Sequence, residues 1–133
     1  MVVDTNILIS ALGWKGKPRA LMELVLEGEL KLIISGKQLK ELIRVMDYPK
    51  FSFTQEEKDR FLTLLLRIAA LVETKANLCI IKEDPSDNML LECAVENGVK
   101  LIISGDKHLR RLKKYKGIAI MSVGEFLKEI EYS

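Results

Sequence analysis

An α/β fold built on a mainly parallel sheet is predicted by three observations. Short β-branched or apolar runs alternate with segments of helical periodicity along the whole chain, the pattern left by strands connected through helices. The strand candidates are continuously apolar instead of alternating, as expected where both faces of a parallel sheet are covered. One of them, KLIISG, occurs twice, at Lys31–Gly36 and Lys100–Gly105, and a helical pattern follows each copy. Two copies of six residues do not make a repeat protein; they are two uses of one device, a buried strand delivered into a helix start.

The elements follow in order. Met1–Val3 opens as a strand, and a helical segment runs from Ile7 to Leu12. Pro18 begins a second helix, PRALMELVLEGE, where proline is well placed in the first turn, and Gly28 stops it. Lys31–Ile34 is the second strand. Leu39, Leu42, Ile43 and Met46 then recur at helical spacing as far as Pro49. Thr54 and Glu57 form a capping box ahead of a long helix over Phe61–Leu71. Either LVET (Leu71–Thr74) or LCII (Leu78–Ile81) supplies the third strand. Asp84 reads as a helix cap and Pro85 as the first helical residue of a segment ending at Gly98. A fourth strand (Leu101–Ile103), a basic helix, a fifth strand (Ile118–Met121) and a helix over Val123–Ile130 complete the chain.

Bulk properties exclude several classes. At 133 residues the chain suits one domain, 1–133, with a core sufficient without disulfides. Its 48% hydrophobic and 30% charged residues place it among ordinary globular proteins. The longest apolar run, FLTLLLRIAALV, is interrupted by Thr63 and Arg67 and falls short of the ~20 residues that span a bilayer, so no membrane association is expected. The start of the chain lacks the order of a signal peptide, which points to the cytoplasm. Cys79 and Cys93 fit no metal or redox spacing and read as small core residues. Net charge is only +2, yet KHLRRLKKYK (Lys107–Lys116) holds six cations and no acid, and WKGKPR (Trp14–Arg19) holds three more.

Acids mark the strand ends. In an open parallel sheet the ligand crevice lies beyond the carboxyl ends of the strands. Asp4 ends the first strand and Asp106 lies just past the fourth; on neighbouring strands, ~4.8 Å apart, both carboxylates reach one cation. Asp87 heads the stripe of Leu90, Leu91 and Ala94 and so points toward the sheet. Glu41 lies nearly opposite the stripe of Leu39, Leu42 and Ile43, and periodicity alone makes it a solvated residue. The plain alternative for Asp4, Asp87 and Asp106 is helix capping, where Asp excels and the helix dipole favours it. Unit charges ~4 Å apart at an effective dielectric near 20 repel by about 4 kcal/mol. Three inward acids therefore call for a proton or a cation, and Asp4→Asn or Asp106→Asn is expected to raise metal-free stability. Oxygen donors without thiolate support suit Mg²⁺ or Mn²⁺. His108 is the single histidine; beside Asp106 it has the position of a proton shuttle, while a basic helix more often carries a surface histidine.

Four motifs, D-T-N (Asp4–Asn6), Glu41 on the helix after the second strand, D-P-S-D-N (Asp84–Asn88) and S-G-D-K (Ser104–Lys107), resemble the PIN domain in order and spacing, over essentially the whole chain. V-M-D-Y-P-K-F (Val45–Phe51) resembles the branch that contains toxins of toxin–antitoxin pairs, akin to VapC-type toxins. The resemblance implies a three-layer α/β/α fold with a five-stranded, mainly parallel sheet in the order 3-2-1-4-5. It implies that Asp4, Glu41, Asp87 and Asp106 are the acidic quartet of a ribonuclease dependent on Mg²⁺ or Mn²⁺, with Asn6 and Ser104 as supporting polar neighbours. It further implies an RNA substrate, a cognate antitoxin protein and a homodimer. RNA backbone would then lie against Lys107, Arg110, Arg111, Lys113 and Lys114 on one side and Lys15, Lys17 and Arg19 on the other, with Trp14 available for stacking. The plain alternative for the basic run is a solvated helix face. Two departures stand out: the first strand is short, as if residues were missing ahead of Met1, and no active-site arginine matches.

Two rivals predict other outcomes. A phosphatase of the haloacid dehalogenase type also places an aspartate after the first strand, but the second acid of its D-x-D signature is Asn6 here. A catalytically degenerate PIN scaffold binding RNA or protein predicts no activity with any metal, and retention of all four acids argues against it.

Overall fold

The computed structural model of the chain describes residues 1–12, 16–75 and 85–131. Two parallel strands, β1 (Val2–Val3) and β4 (Leu101–Ile103), form its centre, paired Val2 to Ile102 and Val3 to Ile103. On one side of β4 lies β6 (Ile118–Met121), parallel, and beyond it β5 (Lys114–Tyr115), antiparallel. On the other side, β2 (Leu32–Ser35) pairs in parallel with β3 (Ala69–Val72), and the Ile33 N–H donates to the Met1 carbonyl at 2.9 Å, joining β2 to β1. The order across the molecule is thus 3-2-1-4-6-5. The expected single five-stranded sheet in the order 3-2-1-4-5 is met only in part: the ladders form two sheets, β1-β4-β6-β5 and β2-β3, with the strand at Ile118–Met121 in the place expected for the fifth and β5 as an additional edge strand.

Side chains alternate across these strands and sort the helices into two layers. Val3, Ile103, Leu32 and Ile34 pack with α1 (Thr5–Leu12), α2 (Gly16–Leu26), α3 (Gly36–Met46), α4 (Gln55–Ile68) and α7 (Val123–Glu131). Val2, Ile102, Ile118 and Ile120 pack against α5 (Pro85–Glu96) and Leu109 of α6 (Lys107–Arg110). The three-layer architecture follows.

Two elements depart from expectation. The long helix ends at Ile68, not Leu71, because Ala69 turns to extended backbone and the next residues pair with Leu32–Ser35. A free strand edge on β2 outweighs the helical preference of Ala and Leu, as tertiary context commonly does. The third strand therefore takes in Leu71 and Val72 of LVET, whereas LCII and the expected cap Asp84 lie outside the described residues. The basic helix is also shorter than expected. It stops at Arg110, and Lys116 (φ 47°) and Gly117 (φ 81°) form the turn of a β5–β6 hairpin. Two successive positive φ angles are what a two-residue type I′ turn needs, and glycine meets that need without steric cost.

The capping box is present as expected. Thr54 Oγ1 accepts the Glu57 N–H at 3.1 Å, and Glu57 Oε1 accepts the Thr54 N–H at 2.9 Å. That backbone N–H and the Thr54 hydroxyl hold the Glu57 carboxyl below its usual range. Thr54→Ala is expected to lower unfolding free energy by about 1 kcal/mol, read as a shift of the urea midpoint at unchanged slope.

Candidate metal centre

Because β1 and β4 are parallel neighbours, their carboxyl ends open on one edge, and Asp4 continues the ladder through its N–H to the Ile103 carbonyl at 2.9 Å. The Asp4 side chain is buried. Its Oδ1 accepts the Asn6 N–H at 2.8 Å and its Oδ2 accepts the Ser104 hydroxyl at 2.7 Å. Ser104, fully buried, in turn accepts the Asp106 N–H at 3.0 Å. One hydroxyl thus couples the acid of β1 to the acid beyond β4. Asn6 contributes its backbone N–H, while its side chain is exposed.

Asp106 also caps α6, with Oδ1 accepting the N–H groups of His108 at 2.8 Å and Leu109 at 3.3 Å. Capping and site formation are therefore not alternatives here, since one carboxylate has oxygens for both. Across from it, Asp87 is 3% exposed, on the face shared with Leu90, Leu91 and Ala94, and one of its carboxylate oxygens lies within 4.8 Å of one from Asp106. Two carboxylates that close repel unless a proton or a cation takes up the charge. Asp87, Asp106 and His108 each offer one donor atom, all within 4.8 Å of one another. Two oxygens and an imidazole nitrogen form a donor set that first-row divalent ions accept, so the residues fit a divalent cation.

Burial pushes the Asp106 carboxyl up, but hydrogen bonds from Asp87, His108 and Leu109, together with the charge of His108, leave it below the usual carboxylate range. Among the lowering causes the Asp87 side chain comes first, ahead of the backbone N–H groups of His108 and Leu109.

Neither Asp4 nor Glu41 belongs to the set of donors within 4.8 Å, among the described residues. Asp4 stands behind the site through Ser104. Glu41 is half-buried on α3, neither the solvated residue of its periodicity nor a member of this set.

Around α3 the structure shows groups the sequence did not reveal. Gln38 is 1% exposed and donates through Nε2 to the Val3 carbonyl at 2.5 Å, pinning α3 beside the residue that precedes Asp4. Glu92, one helical turn past Asn88, is buried and meets Lys37 Nζ at 3.0 Å. Periodicity missed Glu92 because α5 is buried on every side from Asp87 to Ala94, and such a helix has no polar face to read. Lys37→Met removes the counter-charge of a carboxylate whose side chain is 6% exposed. Because the lysine itself is half exposed, the expected cost is about 1–2 kcal/mol, measurable by urea denaturation.

The expected basic residues divide. Lys107, Arg111, Lys113 and Lys114 are exposed, Arg110 is ion-paired with Glu125 at 3.0 Å, and Arg19 with Glu23 at 3.0 Å. Trp14 and Lys15 lie outside the described residues, as does the side chain of Lys17. Cys93 is a buried free thiol, pushed up to about 11 by burial, so it is no nucleophile at neutral pH. A recess of about 990 Å³ runs along α4 from Glu56 to Arg67, and none of the four acids lines it. Among the described residues, no helix is long and apolar enough to cross a membrane.

A family model described as PIN domain covers residues 1–108. No curated protein matches the chain.

Proposed function

This chain belongs to the PIN domain family, and from that premise we propose that it is an endoribonuclease that hydrolyses RNA phosphodiester bonds with Mg²⁺ or Mn²⁺. PIN domains are generally nucleases and typically use divalent metals. The observation that carries the reading is the cluster of Asp87, Asp106 and His108 donor atoms, within 4.8 Å of one another at the carboxyl edge of the sheet, with Asp4 tied to the Asp106 backbone N–H through Ser104.

Asp87 and Asp106 would hold the ion, with Asp4 beside them and Glu41 completing the quartet. When bound, a divalent ion lowers the pKa of a water and neutralises the charge that builds on phosphate during cleavage. Ser104 links Asp4 Oδ2 to the Asp106 backbone N–H, while the Asn6 N–H holds Asp4 Oδ1. Lys107, Arg111, Lys113 and Lys114, all exposed, would draw in the RNA backbone, with Arg110 nearby and Lys15, Lys17 and Arg19 on the opposite side. On this reading the chain is the toxin of a toxin–antitoxin pair, its partners being a small antitoxin and a second copy of itself, and it works in the cytoplasm.

The test compares cleavage of mixed RNA and single-stranded DNA with Mg²⁺, Mn²⁺ or EDTA, using Asp4→Asn as control. RNA cut only when an ion is present, and not by the control, supports the reading. No cleavage with any ion, or a control as active as wild type, overturns it. Binding of RNA by the basic residues is tested by salt, since log affinity falls with log salt by about 0.7 for each phosphate contacted on a single strand; a flat response removes them from the interface.

A further inference from the structure

We propose that Gln38 is a positioning residue that ties the peptide carrying Asp4 to the helix carrying Glu41, and so brings the two halves of the acidic quartet into register. The inference rests on the metal-centre reading above and deepens it, since Gln38 itself holds no ion.

The quartet is divided between two sheets. Asp4 and Asp106 follow strands of the sheet β1-β4-β6-β5, and α5, which carries Asp87, packs on that sheet. Glu41 lies on α3, which follows β2 in the pair β2-β3. Backbone ladders hold register within each sheet but not between the two. The Ile33 N–H and the Met1 carbonyl join β2 to β1 at the end away from Asp4. Nearer the carboxyl edge the link is a side chain, Gln38 Nε2 donating to the Val3 carbonyl at 2.5 Å. The other side of the same peptide group is held as well, because the Asp4 N–H donates to the Ile103 carbonyl at 2.9 Å. The Val3–Asp4 peptide is therefore fixed by β4 on one side and by α3 on the other. Glu41 comes three residues after Gln38, almost one turn along and ~60° around the helix. The amide that grips the Asp4 peptide thus also sets where Glu41 stands.

Stability alone does not account for a glutamine at this position. Gln38 is 1% exposed and shares its buried face with Leu42 and Val45. Its Oε1 is buried with no hydrogen-bond partner among the described residues. Burying half an amide unpaired is unfavourable, and methionine or leucine would fill a similar volume without that cost. What an apolar side chain cannot supply is the N–H for Val3.

The test measures Mn²⁺ binding to metal-free protein by electron paramagnetic resonance. Wild type, Gln38→Met, Glu41→Gln, the double variant and Lys37→Met are compared after circular dichroism confirms that each is folded. Gln38→Asn, whose amide is one methylene short of Val3, takes the place of Gln38→Met if that variant does not fold. The expected loss in Mn²⁺ affinity for Gln38→Met is about tenfold, the low end for groups that orient ligands. Added to Glu41→Gln, the same change costs no more than about twofold, because a residue that acts through Glu41 then has nothing left to position. Lys37→Met, which removes a neighbouring contact between α3 and α5, binds Mn²⁺ as wild type does. If Gln38→Met or Glu41→Gln binds Mn²⁺ as wild type does, if the two losses multiply, or if Lys37→Met loses as much as Gln38→Met, the inference is overturned while the metal centre stands. If wild type takes up no Mn²⁺, the metal-centre reading falls and this inference with it.

Discussion

Asp106→Asn is expected to lower phosphodiester cleavage by at least about a hundredfold, since groups that merely support a metal ligand are already worth 10–100-fold, while leaving the fold stable to within about 1 kcal/mol. Asparagine is as good a helix cap as aspartate, so its side-chain oxygen continues to accept the N–H groups of His108 and Leu109. What it loses is the charge. Asp106→Ala loses both and is expected to melt lower than Asp106→Asn, separating the cap from the site. The pH dependence has a definite sign. The folded-state pKa of Asp106 is lowered, so the stability its ionised form contributes is present above the unfolded carboxylate pKa of ~3.9. That contribution is lost as pH falls through the folded value. Unfolding curves of wild type and Asp106→Asn should therefore converge in acid. Equal cleavage rates for the two proteins at neutral pH would remove Asp106 from the chemistry.

Ser104→Ala is the change expected to act on both stability and activity. The hydroxyl is fully buried, donates to Asp4 Oδ2 at 2.7 Å and accepts the Asp106 N–H at 3.0 Å. Its removal leaves a buried acceptor and a backbone donor each short of a partner, at a cost of about 1–3 kcal/mol. Asp4 is then held through Oδ1 by the Asn6 N–H alone, and an activity loss of about 10–100-fold is expected, the range for groups that orient ligands. Ser104 acts through other residues and is a positioning residue, so its signature lies in metal affinity. The Mn²⁺ concentration needed for half-maximal activity should rise in Ser104→Ala and stay unchanged in Lys37→Met, whose ion pair lies between α3 and α5. A Ser104→Ala protein with normal metal dependence would sink this role.

The two copies of KLIISG show where legibility ended. Both form buried strands, as their composition requires. In the first copy Ser35 caps α3, accepting the Gln38 N–H at 3.1 Å, and Lys37 swings across to Glu92. In the second copy the helix starts later, Asp106 takes over as cap, and Ser104 is released to bridge toward Asp4. Identical hexapeptides thus do different work because the Ser35 hydroxyl is taken up in capping α3, whereas the Ser104 hydroxyl meets Asp4 at the end of β1.

Local patterning determined the strand candidates, the helix that carries Asp87 inward, the Thr54 capping box and the placing of Asp4 and Asp106 at strand ends, because each depends on residues within a turn or two of one another. Tertiary structure alone decided that α4 yields to β3 at Ala69, that the basic run folds back as a hairpin, that Glu92 is buried against Lys37, and that Asp87 meets Asp106 and His108 in one cluster. Those outcomes depend on which strand edges and helix faces come together. Such long-range pairings outweigh local preference, and no spacing within the chain encodes them.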